Sequence, residues 1–192
     1  MYQKVKREKK NLSKDINRIL IADDSEMNRA ILAEMLGKEY EILEAVNGEE
    51  AIAMLHQYEG GISLIMLDIM MPVMDGFEVL AFMNKNHWIE EVPVIMISSE
   101  NSAEYVEKAY ELGVTDYINK PYNALIVYRR VRNTIMLYAR QRKLAGMVRD
   151  QIYDKEKNES LMINILSHIV EFRNGESGLH VLHINTITGL LL

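Results

Sequence analysis

The residues able to do chemistry stand directly after short apolar runs. Asp23 and Asp24 follow Ile19–Ala22, Asp68 follows Ile62–Leu67, Ser98 closes the run that starts at Val92, and Lys120 comes just after Tyr117–Ile118. If these runs are parallel strands, their carboxyl ends share one edge, and a ligand belongs beyond that edge. Carboxylates gathered there repel one another unless a cation joins them. An oxygen-only donor set favours Mg²⁺ or another hard divalent ion such as Mn²⁺. With the Lys120 ammonium and the Ser98 hydroxyl added, the set suits a phosphoryl group. Cation and lysine neutralise its oxygens, the hydroxyl donates to one of them, and a carboxylate attacks phosphorus in line. The sequence has no glycine-rich loop of the Walker or dinucleotide type, so nucleotide binding is not indicated.

The elements that must position these residues are legible as alternation. From Ile19 to Pro121, apolar runs at 19–22, 40–45, 62–67, 92–97 and 117–118 alternate with helical spacing at 26–37, 48–58, 76–85 and 102–112. Within the helical segments apolar positions recur at three or four, as in Met27, Ile31 and Met35, and in Val106 and Tyr110. Asn47-Gly48, Gly60-Gly61 and Gly113 punctuate the junctions. The pattern predicts an α/β domain: a five-stranded parallel, doubly wound sheet covered on both faces. After Pro121 the proline-free remainder predicts an all-α extension. Val127, Val131, Thr134, Tyr138, Gln141, Ala145, Val148, Ile152 and Lys155 alternate steps of four and three, a heptad seam with polar faults. A helix over 123–157 would be on the order of 50 Å long, which predicts a homodimer or a stalk. A break is expected in the polar stretch Lys155–Ser160, followed by another helix over 161–172.

The division is therefore a basic tail at 1–17, an α/β domain at 18–122, a long helix at 123–157 and a helical segment at 158–192. Charge follows the same division. The net charge of −6 conceals an acidic block, residues 19–122, with five Lys/Arg against twenty Asp/Glu. Residues 1–18 carry seven Lys/Arg and two acids, and residues 123–192 carry ten and six. The basic tail is read as a solvated arm. Zero cysteines exclude disulfides, thiol catalysis and thiolate metal sites. The N-terminus lacks the apolar stretch of a signal peptide, and no run approaches the ~18 apolar residues of a membrane span. A cytoplasmic protein without membrane insertion is expected.

Asp23-Asp24, the run DIMMPVMDG from Asp68 to Gly76, VPVIMISS ending at Ser98-Ser99, and DYINKP ending at Pro121 together resemble a response regulator receiver domain. The resemblance implies a flavodoxin-like fold and a place in two-component phosphorelay signalling. Asp68 would be the phosphoacceptor, charged by a sensor histidine kinase or a small phosphodonor. Asp24 and Asp68 would bind Mg²⁺ directly with the backbone carbonyl of Met70, and Asp23 mainly through water. Ser98 and Lys120 would hold the phosphoryl oxygens. Tyr117 would be the aromatic switch that turns inward when the hydroxyl residue shifts. Met70 and Glu100 lie two residues beyond Asp68 and Ser98. A methionine side chain cannot hold an attacking water, so slow self-dephosphorylation is expected.

Residues 166–192 resemble the opening of an HD-GYP domain, the metal-dependent phosphodiesterase class that hydrolyses cyclic di-GMP. The likeness rests on Glu171-Phe172-Arg173 and on the Gly-x-x-Gly-x-His turn from Gly175 to His180. It implies that His180 matches the first metal-ligand histidine, with Glu176 a companion. The His-Asp doublet and the Gly-Tyr-Pro loop are absent, and His183 stands where the family usually has arginine. Too few ligands remain for a hydrolytic metal centre, so no enzymatic activity is expected of this part. The sequence stops inside an apolar segment, read as an interrupted domain.

A phosphorylation-switched module that relays through the long helix to a C-terminal output is the leading reading. The alternative is the regulatory part of a cyclic di-GMP phosphodiesterase whose catalytic residues lie beyond this chain. Nucleic-acid binding was weighed because residues 123–143 hold six Lys/Arg and no acids. It is not expected, since no helix-turn-helix follows.

Overall fold

The computed structural model describes residues 18–100 and 102–174. Five strands, β1 (Arg18–Ala22), β2 (Glu41–Ala45), β3 (Ile62–Asp68), β4 (Val94–Ser98) and β5 (Asp116–Asn119), form one sheet in the order β2-β1-β3-β4-β5. Every pairing is parallel. The helices are α1 (Glu26–Leu36), α2 (Gly48–Gln57), α3 (Gly76–Lys85), α4 (Ala103–Glu111) and α5 (Ala124–Asn174), with a 3₁₀ turn at Trp88–Glu90. The expected α/β fold is what forms, and β4 begins at Val94, because Pro93 has no N–H to give a ladder.

Strand residues alternate between two cores, as the period of two requires. Leu20, Ile65, Leu67 and Met96 face α2, α3 and α4, meeting Ile52, Leu55, Leu80, Met83 and Ala109. Ile19, Ile21, Leu64, Met66, Ile95 and Ile118 face α1 and the start of α5, meeting Leu32, Leu36, Val127, Val131 and Ile135. Both faces are covered, which explains why the inner strands β3 and β4 are buried throughout and mostly apolar, while the edge strands β2 and β5 carry polar residues among their apolar ones.

Helix starts follow their capping residues. Ser25, Asn47, Asp75 and Ser102 each accept a backbone N–H from the first turn, and Asp75 forms a reciprocal capping box with Glu78. Asn47-Gly48 is thus a helix start as much as a turn. The Asn123 side chain caps α5 by accepting from Leu125 and Ile126.

Apolar spacing alone does not mark the buried face of α1 and α4, although Met35 and Val106 do pack against the cores. On α1 the buried positions are Arg29, Leu32 and Leu36, whereas Met27 and Ile31 are exposed. On α4 the buried residue is Ala109, and Tyr110 is exposed. Spacings of three and four fit two neighbouring stripes on these short helices, and the stripe that reaches the sheet is set by the small or branched side chains that fit there. Next, α5 passes through 155–160 without the expected break. Lys and Glu are good helix formers, no glycine or proline interrupts them, and Lys155 pairs with Glu159 across one turn at 3.7 Å. Finally, the domain does not end at 122, because Val127, Val131 and Ile135 of α5 complete its second core.

The described residues divide into two units, one ending at Tyr138 and the other beginning at Ala139. Among the described residues, no helix is long and apolar enough to cross a membrane.

Candidate functional site

The carboxyl edge of the sheet gathers the residues expected there. The Asp23 N–H donates to the Ala45 carbonyl at 3.2 Å, which fixes the loop leaving β1 against the end of β2. Asp68 is the last residue of β3 and Ser98 the last of β4. The Lys120 N–H donates to the Ser98 carbonyl at 2.8 Å, tying the loop after β5 to the end of β4. The Lys120–Pro121 bond is cis. Asp23, Asp24 and Asp68 each offer a carboxylate oxygen, and these oxygens lie within 4.8 Å of one another. Asp23 and Asp68 are buried and Asp24 is exposed.

Lys120 joins two of these acids. Its Nζ is 2.6 Å from Asp68 Oδ2 and 2.8 Å from Asp23 Oδ2. Burial is the largest influence on Asp68 and pushes its carboxyl above the usual value; the Asp23 charge adds to this, while Lys120 and the Met70 N–H oppose it. Burial also pulls the Lys120 ammonium down, but the hydrogen bonds and charges of Asp23 and Asp68 together outweigh it and hold the ammonium above its ordinary value. The two directions agree once the one cation is seen to be divided between two carboxylates. Lys120 is fully neutralised, whereas each acid receives a share. Three carboxylates against one ammonium leave the cluster short of positive charge, and oxygen donors of this kind fit Mg²⁺ or Mn²⁺.

The loop after Asp68 is held close beneath the site. The Gly76 N–H donates to the Ile69 carbonyl at 2.9 Å. A side chain at Gly76 would put its Cβ 2.3 Å from the Asp68 carbonyl oxygen, so the motif requires glycine there. Ser98 is completely buried, and its Oγ accepts the Glu100 N–H at 3.1 Å. Tyr117 is buried with its hydroxyl donating to the Glu100 carbonyl. Burial first, then the Glu100 and Asp68 charges, raise its phenol against the opposing hydrogen bond of Ser98.

Sequence reading missed the supports of this site. Arg29 is buried, and its Nη1 donates to the carbonyls of Asp23 and Asp24 at 2.9 and 3.2 Å while Nε meets Glu44 at 3.1 Å. The Asn28 amide donates to both Asp23 carboxylate oxygens at 3.1 Å. A charged residue on the Leu32–Leu36 stripe was the available signal. Arg130 was also missed. From α5 its Nη1 donates to Asp116 Oδ1 at 2.8 Å and to the Tyr117 carbonyl at 3.2 Å. Glu176, His180 and His183, and the 1–17 tail, lie outside the described residues.

The response regulator receiver domain model matches residues 19–132, more than half of the chain. The chain belongs to the receiver family. Receiver domains are the phosphoacceptors of two-component signalling, are phosphorylated by histidine kinases and bind Mg²⁺ through an acidic aspartate cluster. This receiver is 38% identical over 105 residues to the chemotaxis protein CheY of Halobacterium salinarum, covering 54% of this chain and 84% of that protein. It is 32% identical over 171 residues to a probable cyclic di-GMP phosphodiesterase of Vibrio cholerae, covering 85% of this chain and 38% of that protein. Among solved structures it resembles the CheX-CheY-BeF3-Mg²⁺ complex of Borrelia burgdorferi, with a TM-score of 0.56 and 31% identity over 61% of this chain and 87% of that one. The chain thus spans well under half of the Vibrio relative's length.

Proposed function

We propose that Asp68 of this response regulator accepts the phosphoryl group. The carrying observation is the Lys120 ammonium held between Asp68 and Asp23 at the carboxyl edge of the sheet. An Asp68 carboxylate oxygen attacks the phosphorus of a histidine kinase's phosphohistidine. The P–O bond forms as the P–N bond breaks, and the imidazole leaves. Lys120 and the Ser98 hydroxyl receive the phosphoryl oxygens. Asp23, Asp24, Asp68 and the Met70 carbonyl would hold Mg²⁺ or Mn²⁺, which when bound neutralises charge on the phosphoryl oxygens.

The route outward runs along β5. Lys120 follows this strand, Tyr117 lies within it, and Arg130 fastens its backbone to α5. A phosphoryl group that draws Ser98 and Lys120 alters the pocket in which Tyr117 packs, and Arg130 passes the change to the helix. α5 carries it onward as a homodimer, and the reading implies a cytoplasmic protein, where a kinase's phosphohistidine is met. Met70 is exposed and carries no group that holds water, so the acyl phosphate outlives seconds.

The test is exposure to acetyl phosphate with Mg²⁺, wild type against Asp68→Asn, read by intact mass. The wild type gains one phosphoryl group and the variant none. No gain in the wild type overturns the reading.

The Vibrio relative supports a second reading for the whole protein, the regulatory part of a cyclic di-GMP phosphodiesterase. On it, Glu176 and His180 are the beginnings of a metal site that this chain leaves incomplete and inactive. Turnover of cyclic di-GMP by this chain with Mn²⁺ would falsify that inactivity.

A further inference from the structure

Beyond Tyr138, α5 offers large apolar side chains to solvent at regular intervals. Val148, Ile152, Met162, Leu166 and Ile169 are each more than half exposed. With Ala145, Lys155 and Glu159 they form one uninterrupted series of alternating three- and four-residue steps, which the absence of a break at 155–160 makes continuous. In heptad letters, Ala145, Ile152, Glu159 and Leu166 occupy position a, and Val148, Lys155, Met162 and Ile169 occupy d. Such a stripe is covered when a second helix supplies matching holes.

Resting on the dimer reading above, we propose that residues 145–169 pair with the same residues of a second copy as a parallel, in-register two-stranded coiled coil, with Lys155 and Glu159 fixing the register. The shoulders of the seam choose the direction, and its charged layers choose the register. The shoulders of the seam, positions e and g, are polar in the first half, Arg149, Gln151, Glu156 and Asn158. In the second half they are exposed and apolar, Ile163, Ile165 and Val170. Parallel pairing sets g against the following e of the other copy, so Asn158 flanks Ile163 but Ile165 meets Val170, and that apolar pair is buried together. Antiparallel pairing about the Lys155–Glu159 midpoint would instead set Ile163 near Arg149 and Ile165 near Gln151. The register is a matter of charge. A d side chain enters a hole formed by four residues of the facing helix. For Lys155 that hole contains Ile152, Lys155, Glu156 and Glu159 of the second copy, so the two lysines that meet in this layer are answered by carboxylates across the seam as well as by Glu159 of their own helices at 3.7 Å. A one-heptad slip would put Lys155 against apolar layers, and the polar pair therefore selects the register.

The absence of cysteine makes the test clean. Ile152→Cys, Met162→Cys, Leu166→Cys and the outward-facing Asp150→Cys are prepared singly in the full chain and oxidised gently, with and without acetyl phosphate and Mg²⁺. The seam variants each form covalent homodimers in at least one condition, because facing a or d layers lie within disulfide reach, while Asp150→Cys lags at least about tenfold behind. Sedimentation shows Lys155→Glu associating about tenfold more weakly, with recovery when Glu159→Lys is added. Crosslinks that form only when Ile152→Cys and Met162→Cys are mixed mean antiparallel pairing and overturn the proposal. A wild-type dimer by sedimentation with no seam crosslinks overturns this seam but leaves the dimer reading standing. A monomer in both conditions overturns both.

Discussion

Two stretches of α5 carry the same apolar spacing and meet different fates. Val127, Val131 and Ile135 are buried against β1, β3 and β4 residues, whereas Val148, Ile152 and Leu166 stand open to solvent. The first stretch is also fastened by polar contacts, Tyr128 to Glu39 at 2.8 Å and Arg130 to Asp116 at 2.8 Å. The second has the ion pair between Lys155 and Glu159. Helical periodicity reports that a face requires cover; what covers it is decided by the neighbouring sequence. For the first stretch, the cover is Ile19, Ile21, Leu64 and Ile95, residues its own chain has already placed on the facing side of the sheet.

The sharpest way to break this contrast is to truncate one residue in each stretch. Ile135→Ala should lower the unfolding free energy by about 2–5 kcal/mol, the range for a buried aliphatic side chain. Ile152→Ala should change the unfolding of the receiver core by no more than about 0.5 kcal/mol, because Ile152 lies outside both clusters of that core. Urea unfolding followed by the fluorescence of Trp88, the one tryptophan, reads both. Equal losses would mean that the two stretches are not differently covered.

Glycines give a contrast of opposite sign. A Cβ at Gly146 meets no atom within 4 Å, so Gly146→Ala should stabilise the helix by about 1 kcal/mol, visible as higher far-UV helicity. A Cβ at Gly76 lands 2.3 Å from a backbone oxygen, so Gly76→Ala should lower the urea midpoint by more than Gly146→Ala raises it. The same substitution distinguishes a residue chosen for close approach from one that is merely tolerated.

The same distinction explains what was legible in the sequence. The sheet is legible because its inner strands are buried on both faces and appear as apolar runs, with shorter or interrupted runs at its edges, and Asp23, Asp68, Ser98 and Lys120 stand at or just after the ends of such runs. The apolar spacing of α1 and α4 picks out Met35 and Val106, which pack against the cores, together with Met27, Ile31 and Tyr110, which are exposed. In α1 two apolar stripes compete, and the winning stripe carries Arg29, which serves the Asp23 and Asp24 carbonyls instead of the core. Asn28 and Arg130 were missed because their partners are carboxylates and carbonyls that only the fold brings near. No local pattern marks such a contact. The helix break expected at Lys155–Ser160 failed for the reverse reason. A polar stretch suggests a break, yet its residues favour helix.

A smaller effect should come from the fastening between β5 and α5. Arg130→Ala removes a partly exposed ion pair, for which about 0.2–1 kcal/mol is expected in urea unfolding. Its larger consequence should be functional: phosphoryl uptake at Asp68 stays intact by mass, while any change of sedimentation on phosphorylation is reduced. A variant that loses phosphoryl uptake would place Arg130 in the site itself rather than in the relay.

The smallest effect tests the first stretch of α5 through pH. Tyr40 is buried beside Tyr128 and Arg132 of that stretch, and its phenol is raised first by burial, then by Glu39 and Tyr128, with Arg132 opposing. A raised phenol means that the folded state holds the proton more tightly than the unfolded chain does. The neutral phenol's contribution is therefore whole below about pH 10, the value of an unfolded tyrosine, and is lost as pH climbs through the folded value. Urea midpoints should fall above about pH 10, and Tyr40→Phe should make that fall shallower, because phenylalanine has no proton to lose. The fall should persist in part, since Tyr117 and Tyr122 are raised by burial as well. An unchanged slope in Tyr40→Phe would remove Tyr40 from the contact between the receiver and the first turns of α5, and leave its apolar residues as the whole of that attachment.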